Sequence, residues 1–201
     1  MQIDRLVLAI VQREDADAAI GALNDAGLAV TVIASVGGFL SASNTTLLMG
    51  LRADDVEKAV EVLKARGHHR TVRAPREADI GSATIFVFPL ECYVHITPSQ
   101  PTIDSRCDAG EPGTMKMIVA IVSQQQSDQL LKVLTDWSYR GTLMSTTGGF
   151  LHRQNATVLV GARAERVNSI LDQIRRVCEQ SAEDSSAATI FVLDSAQYER
   201  L

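Results

Sequence analysis

An internal repeat is the feature that most limits how this chain can fold. Three segments recur: AIV at 9–11 and 120–122, GGFL at 37–40 and 148–151, and ATIFV at 83–87 and 188–192. The first two recur without a gap at an offset of 111 residues, and the third at 105, so the second copy is six residues shorter before its last strand. The repeat predicts one supersecondary module that is built twice.

The stretch between the copies has the composition of a linker. It reads TPSQPTIDSRCDAGEPG, with three prolines and two glycines within residues 97–113. Proline interrupts both helices and strand pairing, so regular structure is not expected here. The sequence predicts a first domain at 1–97, a linker at 98–113 and a second domain at 114–201.

Hydrophobic spacing predicts the order β-α-β-β-α-β in each copy. Leu6 to Val11 is a short apolar run typical of a strand, and a helical stripe then ends at Gly27. Strands are predicted at 28–36 and 45–51, a helix at about 53–66, a polar loop, and a last strand at 83–90. The predicted fold class is α+β, ferredoxin-like (βαββαβ) and tandemly duplicated. One face of each sheet needs a partner, because its strands are too apolar to face water.

Two sequence patterns indicate where helices begin. Asp54 and Glu57 resemble a capping box at the second helix, and Ser127 is a candidate cap for the first helix of the second copy.

Composition excludes several classes of protein. A net charge of −5 without long charge runs argues against binding nucleic acid backbones, and no apolar stretch is long enough to insert in a membrane. The N-terminus is a poor signal peptide, so a cytoplasmic location is expected. The three cysteines form no CxxC pair, which predicts free thiols rather than a disulfide or zinc site. His68-His69 is interpreted as a solvated loop, and no metal site is predicted.

The repeated glycine turn is flanked by residues that suit a flat heterocycle. Phe150 and Leu151 offer an apolar surface, Arg140 a guanidinium, and Asn155 both a donor and an acceptor. Each also has a structural interpretation, as a hairpin residue, a core residue or a solvated cation. No nucleophile, general base or phosphate-binding loop signature is present, which indicates a protein that is not an enzyme.

The second copy contains MKMIVAIVSQQQ, RGTLMSTTGGFL and NATVLVG. These segments resemble the PII-like cyclic-di-AMP receptor family of the nitrogen regulatory PII-like superfamily. The resemblance implies ferredoxin-like domains in a homo-oligomer, with a trimer favoured. It also implies a dinucleotide bound in clefts between domains, and no catalytic cofactor.

The same resemblance assigns ligand-binding residues in both copies. They are Arg140, Thr142, Gly149, Phe150, Leu151, Asn155 and Gly161 in the second copy, and Thr31, Gly38, Phe39, Leu40, Asn44 and Gly50 in the first. Ala29 replaces the arginine in the first copy, and Ala156 replaces a family threonine in the second. His95 and Arg200 stand where family members often have a C-terminal glutamine. Which copy binds stays open.

The preferred hypothesis is a signal-transduction protein that binds cyclic di-AMP or a related adenine nucleotide. Binding would order loops at 41–43 and 67–80 and their counterparts, which would regulate a target protein. The alternative is a degenerate scaffold or interaction module that has lost nucleotide binding. A third hypothesis is an amino-acid-binding regulatory domain of the same fold class.

Overall fold

The computed structural model describes residues 3–36, 43–68, 70–73, 77–80, 82–96, 107–148, 154–179 and 188–195. The chain divides into two compact units. The first consists of Met1, Arg5–Phe88 and Thr146–Arg153, and the second of Gln2–Asp4, Pro89–Ser145 and Gln154–Leu201.

The first unit has the predicted ferredoxin-like element order. Its elements are β1 (Arg5–Gln12), α1 (Arg13–Asp25), β2 (Thr31–Val36), β3 (Ser43–Leu51), α2 (Ala53–Arg66), β4 (Arg70–Arg73), β5 (Glu77–Ile80) and β6 (Ala83–Pro89). The sheet order β6-β1-β3-β2 places the first and third strands of the module at the centre, paired antiparallel. Residues 146–148, which belong to this unit, pair antiparallel with β2.

The predicted polar loop after α2 is wrong in part. Residues 70–73 and 77–80 form a separate two-stranded antiparallel hairpin, β4–β5. Strands of four residues give too few alternating positions to be recognised from hydrophobic spacing. Ser43, which was also assigned to a loop, is the first residue of β3.

The second unit repeats the module and adds a strand. Its elements are β7 (Cys92–Ile96), β8 (Met115–Ser123), α3 (Gln124–Asp136), β9 (Gly141–Gly148, whose last three residues belong to the first unit), β10 (Gln154–Arg163), α4 (Ala164–Glu179) and β11 (Ala188–Asp194). The strand order is β9-β10-β8-β11-β7, so the duplicated α+β fold class is confirmed.

Strand β7 follows the first copy in sequence but belongs to the sheet of the second unit. It pairs antiparallel with β11, with Phe191 opposite Tyr93 and Ala188 opposite Ile96. The predicted domain limits of 1–97, 98–113 and 114–201 follow the sequence repeat and stay a prediction.

Aliphatic side chains between helices and sheet form a separate core in each unit. Leu23, Leu47 and Leu63 are fully buried in the first, and Leu130, Ile174 and Ile190 in the second. Burying each such side chain stabilises the fold by about 1.5–3 kcal/mol. These cores fix which face of each strand lies against the helices.

The prediction of three free thiols is wrong. Cys92 and Cys107 form a disulfide, 15 residues apart in sequence. Asn168 of α4 holds the same segment, accepting from the Cys107 N–H at 2.9 Å and donating to the Cys107 carbonyl at 3.0 Å. Cys178 is the free cysteine, and burial raises its pKa to about 11.

Both first helices end in the same hydrogen-bonded turn. After α1, Leu28 N–H donates to the Leu23 carbonyl, and Gly27 has a φ of 78°. After α3, Tyr139 N–H donates to the Leu134 carbonyl, but the left-handed residue is Ser138, with a φ of 63°. Glycine adopts this backbone without strain, whereas serine does not.

The two predicted helix N-caps are wrong. Helix α3 is capped by Ser123, which accepts from the Gln126 N–H while its own N–H donates to the Gln126 side chain. Ser127 instead donates to the Gln124 carbonyl. Helix α2 begins after Arg52, whose guanidinium donates to Asp55 at 2.7 Å.

The left-handed backbone of Ser138 leads to a prediction about stability. Ser138→Gly should stabilise the second unit by about 0.5–1 kcal/mol, because the strain of about 1–2 kcal/mol exceeds the entropic cost of glycine. Trp137 is the single tryptophan of the chain, so its fluorescence in a urea titration reports this transition. The reciprocal Gly27→Ser should destabilise the first unit by a similar amount in circular dichroism. A Ser138→Gly variant that is no more stable would contradict the expectation.

The Cys92–Cys107 disulfide leads to a second prediction about stability. Cross-linking a loop of about 15 residues stabilises a fold by about 3 kcal/mol, so Cys107→Ser should lower the unfolding free energy of the second unit by that order. Alkylation of the denatured wild-type protein should label one thiol before reduction and three after it. Three labelled thiols without reduction would contradict the assignment of the Cys92–Cys107 disulfide.

Candidate functional site

The predicted ligand-binding residues of β10 lie on the sheet face that points away from the helices. Ala156, Val158 and Val160 belong to the helix-side core, and successive strand residues alternate between faces. Asn155 and Gly161 therefore share the opposite face, called the outer face below. Asn155 is half-buried and Gly161 is exposed.

Thr142 lies on the same outer face of the second unit. A Cβ at the preceding Gly141 would point at side chains of Leu131, Leu134 and Val158, which are on the helix side. Alternation then turns Thr142, which is exposed, toward the outer face. Three predicted residues from two strands, 142, 155 and 161, thus face the same way.

The first unit repeats this arrangement. Leu47 and Met49 of β3 and Val30, just before β2, belong to its helix-side core. Asn44, Gly50 and Thr31 therefore occupy the outer face by the same alternation. Residues directly opposite each other in an antiparallel pair lie on the same face of the sheet. The register agrees with the assignment, since Thr31 lies opposite Leu48, and Asn44 lies opposite both Gln12 and Ser35.

Arg140 precedes β9 rather than lying within it. Its side chain is exposed, two residues before Thr142. The corresponding Ala29 of the first unit is also exposed, so the substitution removes a cation from an accessible position. The two units therefore differ most in charge at this point.

Six of the predicted residues lie outside the described part of the chain. They are Gly38, Phe39 and Leu40 of the first copy and Gly149, Phe150 and Leu151 of the second. Their roles stay predictions that rest on the resemblance.

In both units the candidate asparagine lies opposite the residue that starts the first helix. Asn155 pairs with Ser123, the cap of α3, and Asn44 pairs with Gln12, which precedes α1. The N-terminus of a helix carries a partial positive charge and favours anions. An amide at this position can both donate to and accept from a polar group of a ligand.

The start of α1 is also tied to the segment after α2, a contact that sequence reasoning missed. The buried carboxylate of Asp15 accepts the His68 N–H at 3.0 Å and lies 2.9 Å from its ring Nδ1. The Gln12 amide donates to the His68 carbonyl at 3.2 Å. His68 was interpreted as a solvated loop residue. Its ring is exposed, but it is anchored at the base of the β4–β5 hairpin.

Two of the assigned outer-face positions are more exposed in the second unit than in the first. Thr142 and Gly161 are exposed, and Met117, which lies opposite Gly161, is 39% exposed. The counterparts in the first unit are half-buried or buried: Thr31 and Gly50 are half-buried, and Leu6, opposite Gly50, is 3% exposed. At these two assigned positions the second unit is the more exposed, although Thr157, between Asn155 and Gly161 on the same face, is fully buried.

The candidate positions span a long strip. Asn155 and Gly161 are six residues apart on one strand, about 20 Å at the rise of an extended chain. One hydrogen-bonding base edge cannot reach both ends. Thr157, which lies between them on the same face, is fully buried, so the two ends are separate exposed positions.

His95, at the position that the resemblance assigns to a glutamine, lies on β7. Its ring is parallel to that of Tyr93 at 6.5 Å between centroids, and Nδ1 lies 3.2 Å from the Thr189 hydroxyl. Desolvation lowers the pKa of His95 and raises that of Tyr93. His95 is therefore favoured as a neutral hydrogen-bonding group.

Within the described ranges, no group of three or more His, Cys, Asp or Glu side chains could hold a metal ion. A separate finding is that the helices described here are all too short or too polar to cross a membrane.

Three solved structures illustrate what the chain resembles. A functionally unknown protein from Pediococcus pentosaceus is 31% identical, over 45% of this chain and 95% of its own, with a TM-score of 0.39. The regulatory subunit of aspartate kinase from Thermus thermophilus is 16% identical, over 90% and 94%, with a TM-score of 0.38. The acetolactate synthase small subunit from Thermotoga maritima is 10% identical, over 97% and 99%, with a TM-score of 0.34.

A family-wide comparison is more specific, because it matches both copies separately. The cyclic-di-AMP receptor family matches residues 4–73 and 115–198, which together make up most of the chain. The two matched segments contain every position that the resemblance assigned to ligand binding. This chain therefore belongs to the cyclic-di-AMP receptor family and contains its module twice.

Proposed function

We propose that this protein is a non-catalytic sensor that binds cyclic di-AMP, or a related adenine nucleotide, on the outer face of its second unit. The observation that carries the proposal is that Thr142, Asn155 and Gly161 share one face of the sheet, on which Thr142 and Gly161 are exposed. The family match supplies the ligand class. The first unit keeps the asparagine but lacks the arginine, and its Thr31 and Gly50 are half-buried.

Each residue has a defined role in this proposal. The Arg140 guanidinium pairs with a phosphodiester oxygen, since its planar donors match two oxygens at once. The Asn155 amide donates to and accepts from an adenine edge. Gly161 lets the ligand approach the backbone closely, because it has no side chain. Phe150 and Leu151 supply the apolar surface for the base.

The proposal includes an assembly and an output. Three chains in a cytoplasmic trimer would bring six modules together, with ligand clefts between domains. The segment after α2 is a candidate for the output, because His68 fixes its base to α1 through Asp15. A bound nucleotide would change the populations of this segment and so its contact with a target protein.

Calorimetry with cyclic di-AMP, cyclic di-GMP and ATP tests the ligand and the residues together. Cyclic di-AMP should bind with micromolar affinity or better. Arg140→Ala should weaken binding roughly 10- to 100-fold, because a hydrogen bond to a charged group contributes about 1.5–3 kcal/mol. Asn155→Ala should weaken it by about tenfold, again the order of one or two hydrogen bonds.

The first unit provides matched controls. Asn44→Ala and Thr31→Val should change the affinity less than twofold if the second unit carries the site. Equal losses from Asn44→Ala and Asn155→Ala would show that both units bind. The absence of micromolar binding by all three nucleotides to folded protein would favour the degenerate scaffold.

A further inference from the structure

Strand β6 of the first unit presents apolar side chains that its counterpart in the second unit buries. Phe86 is 47% exposed and Phe88 39%, and their rings stack at 6.4 Å between centroids. The equivalent residues of β11, Phe191 and Leu193, are each 3% exposed. Apolar side chains at equivalent positions therefore differ more than tenfold in exposure.

The added strand β7 is one cause of this difference. It pairs with β11, and the Tyr93 ring lies 5.6 Å from the Phe191 ring. Among the described strands of the first unit, the sheet order ends at β6. An apolar strand at the edge of a sheet is a template for pairing with a further strand.

The repeat indicates what would complete that edge. The offset of 105 residues that aligns β6 with β11 also aligns Cys92–Ile96 with residues 197–201, QYERL. Tyr198 then corresponds to Tyr93, and by the observed register it would lie opposite Phe86. The segment keeps the tyrosine and the terminal aliphatic residue of β7.

The two segments differ in the anchoring residues that their sequences contain. The start of β7 is held by the Cys92–Cys107 disulfide and by the buried Lys116, which donates to Glu91 at 3.3 Å. The corresponding residues before and within the second segment are Ala196 and Gln197. Segment 197–201 lacks both anchors in its sequence, which favours exchange between chains.

We propose that residues 197–201 of a second chain add to the free edge of β6 as a fifth strand, with Tyr198 against Phe86. In the described part of the chain, the segment after the first copy pairs with the last strand of the copy that follows it. Continuing this rule, the segment after the second copy pairs with the first copy of another chain. Such head-to-tail contacts close into rings when the rotation allows. The inference does not depend on the nucleotide.

Photo-crosslinking in the full chain tests the pairing. Tyr198→p-benzoylphenylalanine should yield, on irradiation, a band at about twice 21.7 kDa, with the link mapped by mass spectrometry to residues 83–89. Tyr93→p-benzoylphenylalanine is the control for the strand register. Its photo-crosslink should map to residues 188–194 of the same chain.

Substitutions on β6 complete the test. Phe86→Ser with Phe88→Ser should reduce the two-chain product at least tenfold, because two apolar rings are lost from the contact. Trp137→Ser removes another ring that is 45% exposed and should leave the yield unchanged. Circular dichroism verifies that each variant is folded. Links only within one chain, links outside 83–89, or no links would overturn the proposal.

Discussion

The antiparallel pairing of the two central strands in each unit is the constraint on which the rest depends. Pairing of β1 with β3, and of β8 with β10, fixes the register residue by residue. Because side chains alternate, a shift of one residue would turn the core outward and the candidate residues inward. The register therefore determines both the aliphatic core and the composition of the outer face.

Duplication lets the two modules keep one fold while their surfaces diverge. The second unit has Arg140, an exposed Gly161 and the added strand β7. The first unit has Ala29, a half-buried Gly50 and an exposed β6. The differences lie on outer faces and sheet edges, where substitutions cost little stability. In our two proposals, the second module binds the ligand and the first presents an edge for assembly.

The sequence was sufficient for the fold because its repeat and hydrophobic alternation are local signals repeated twice. The predicted strands, carried to the second copy by the offset of 111, contain Thr142 and Gly161, whereas Asn155 lies one residue before its predicted strand and Arg140 precedes β9. The missed features depend on contacts between distant residues. Cys92 meets Cys107, and Asp15 meets His68, only after the chain has folded. Spacing encodes neither pair, and a left-handed serine such as Ser138 gives no glycine signal.

The central claim is that the ligand lies on the outer face of the second unit, and methionine methyl NMR tests it most directly. Met117 lies on that face opposite Gly161, whereas Met49 is fully buried on the helix side of the first unit. With methyl-labelled protein, saturating cyclic di-AMP should shift the Met117 resonance and leave that of Met49 in place. A bound ligand that shifts Met49 but not Met117 would contradict the account.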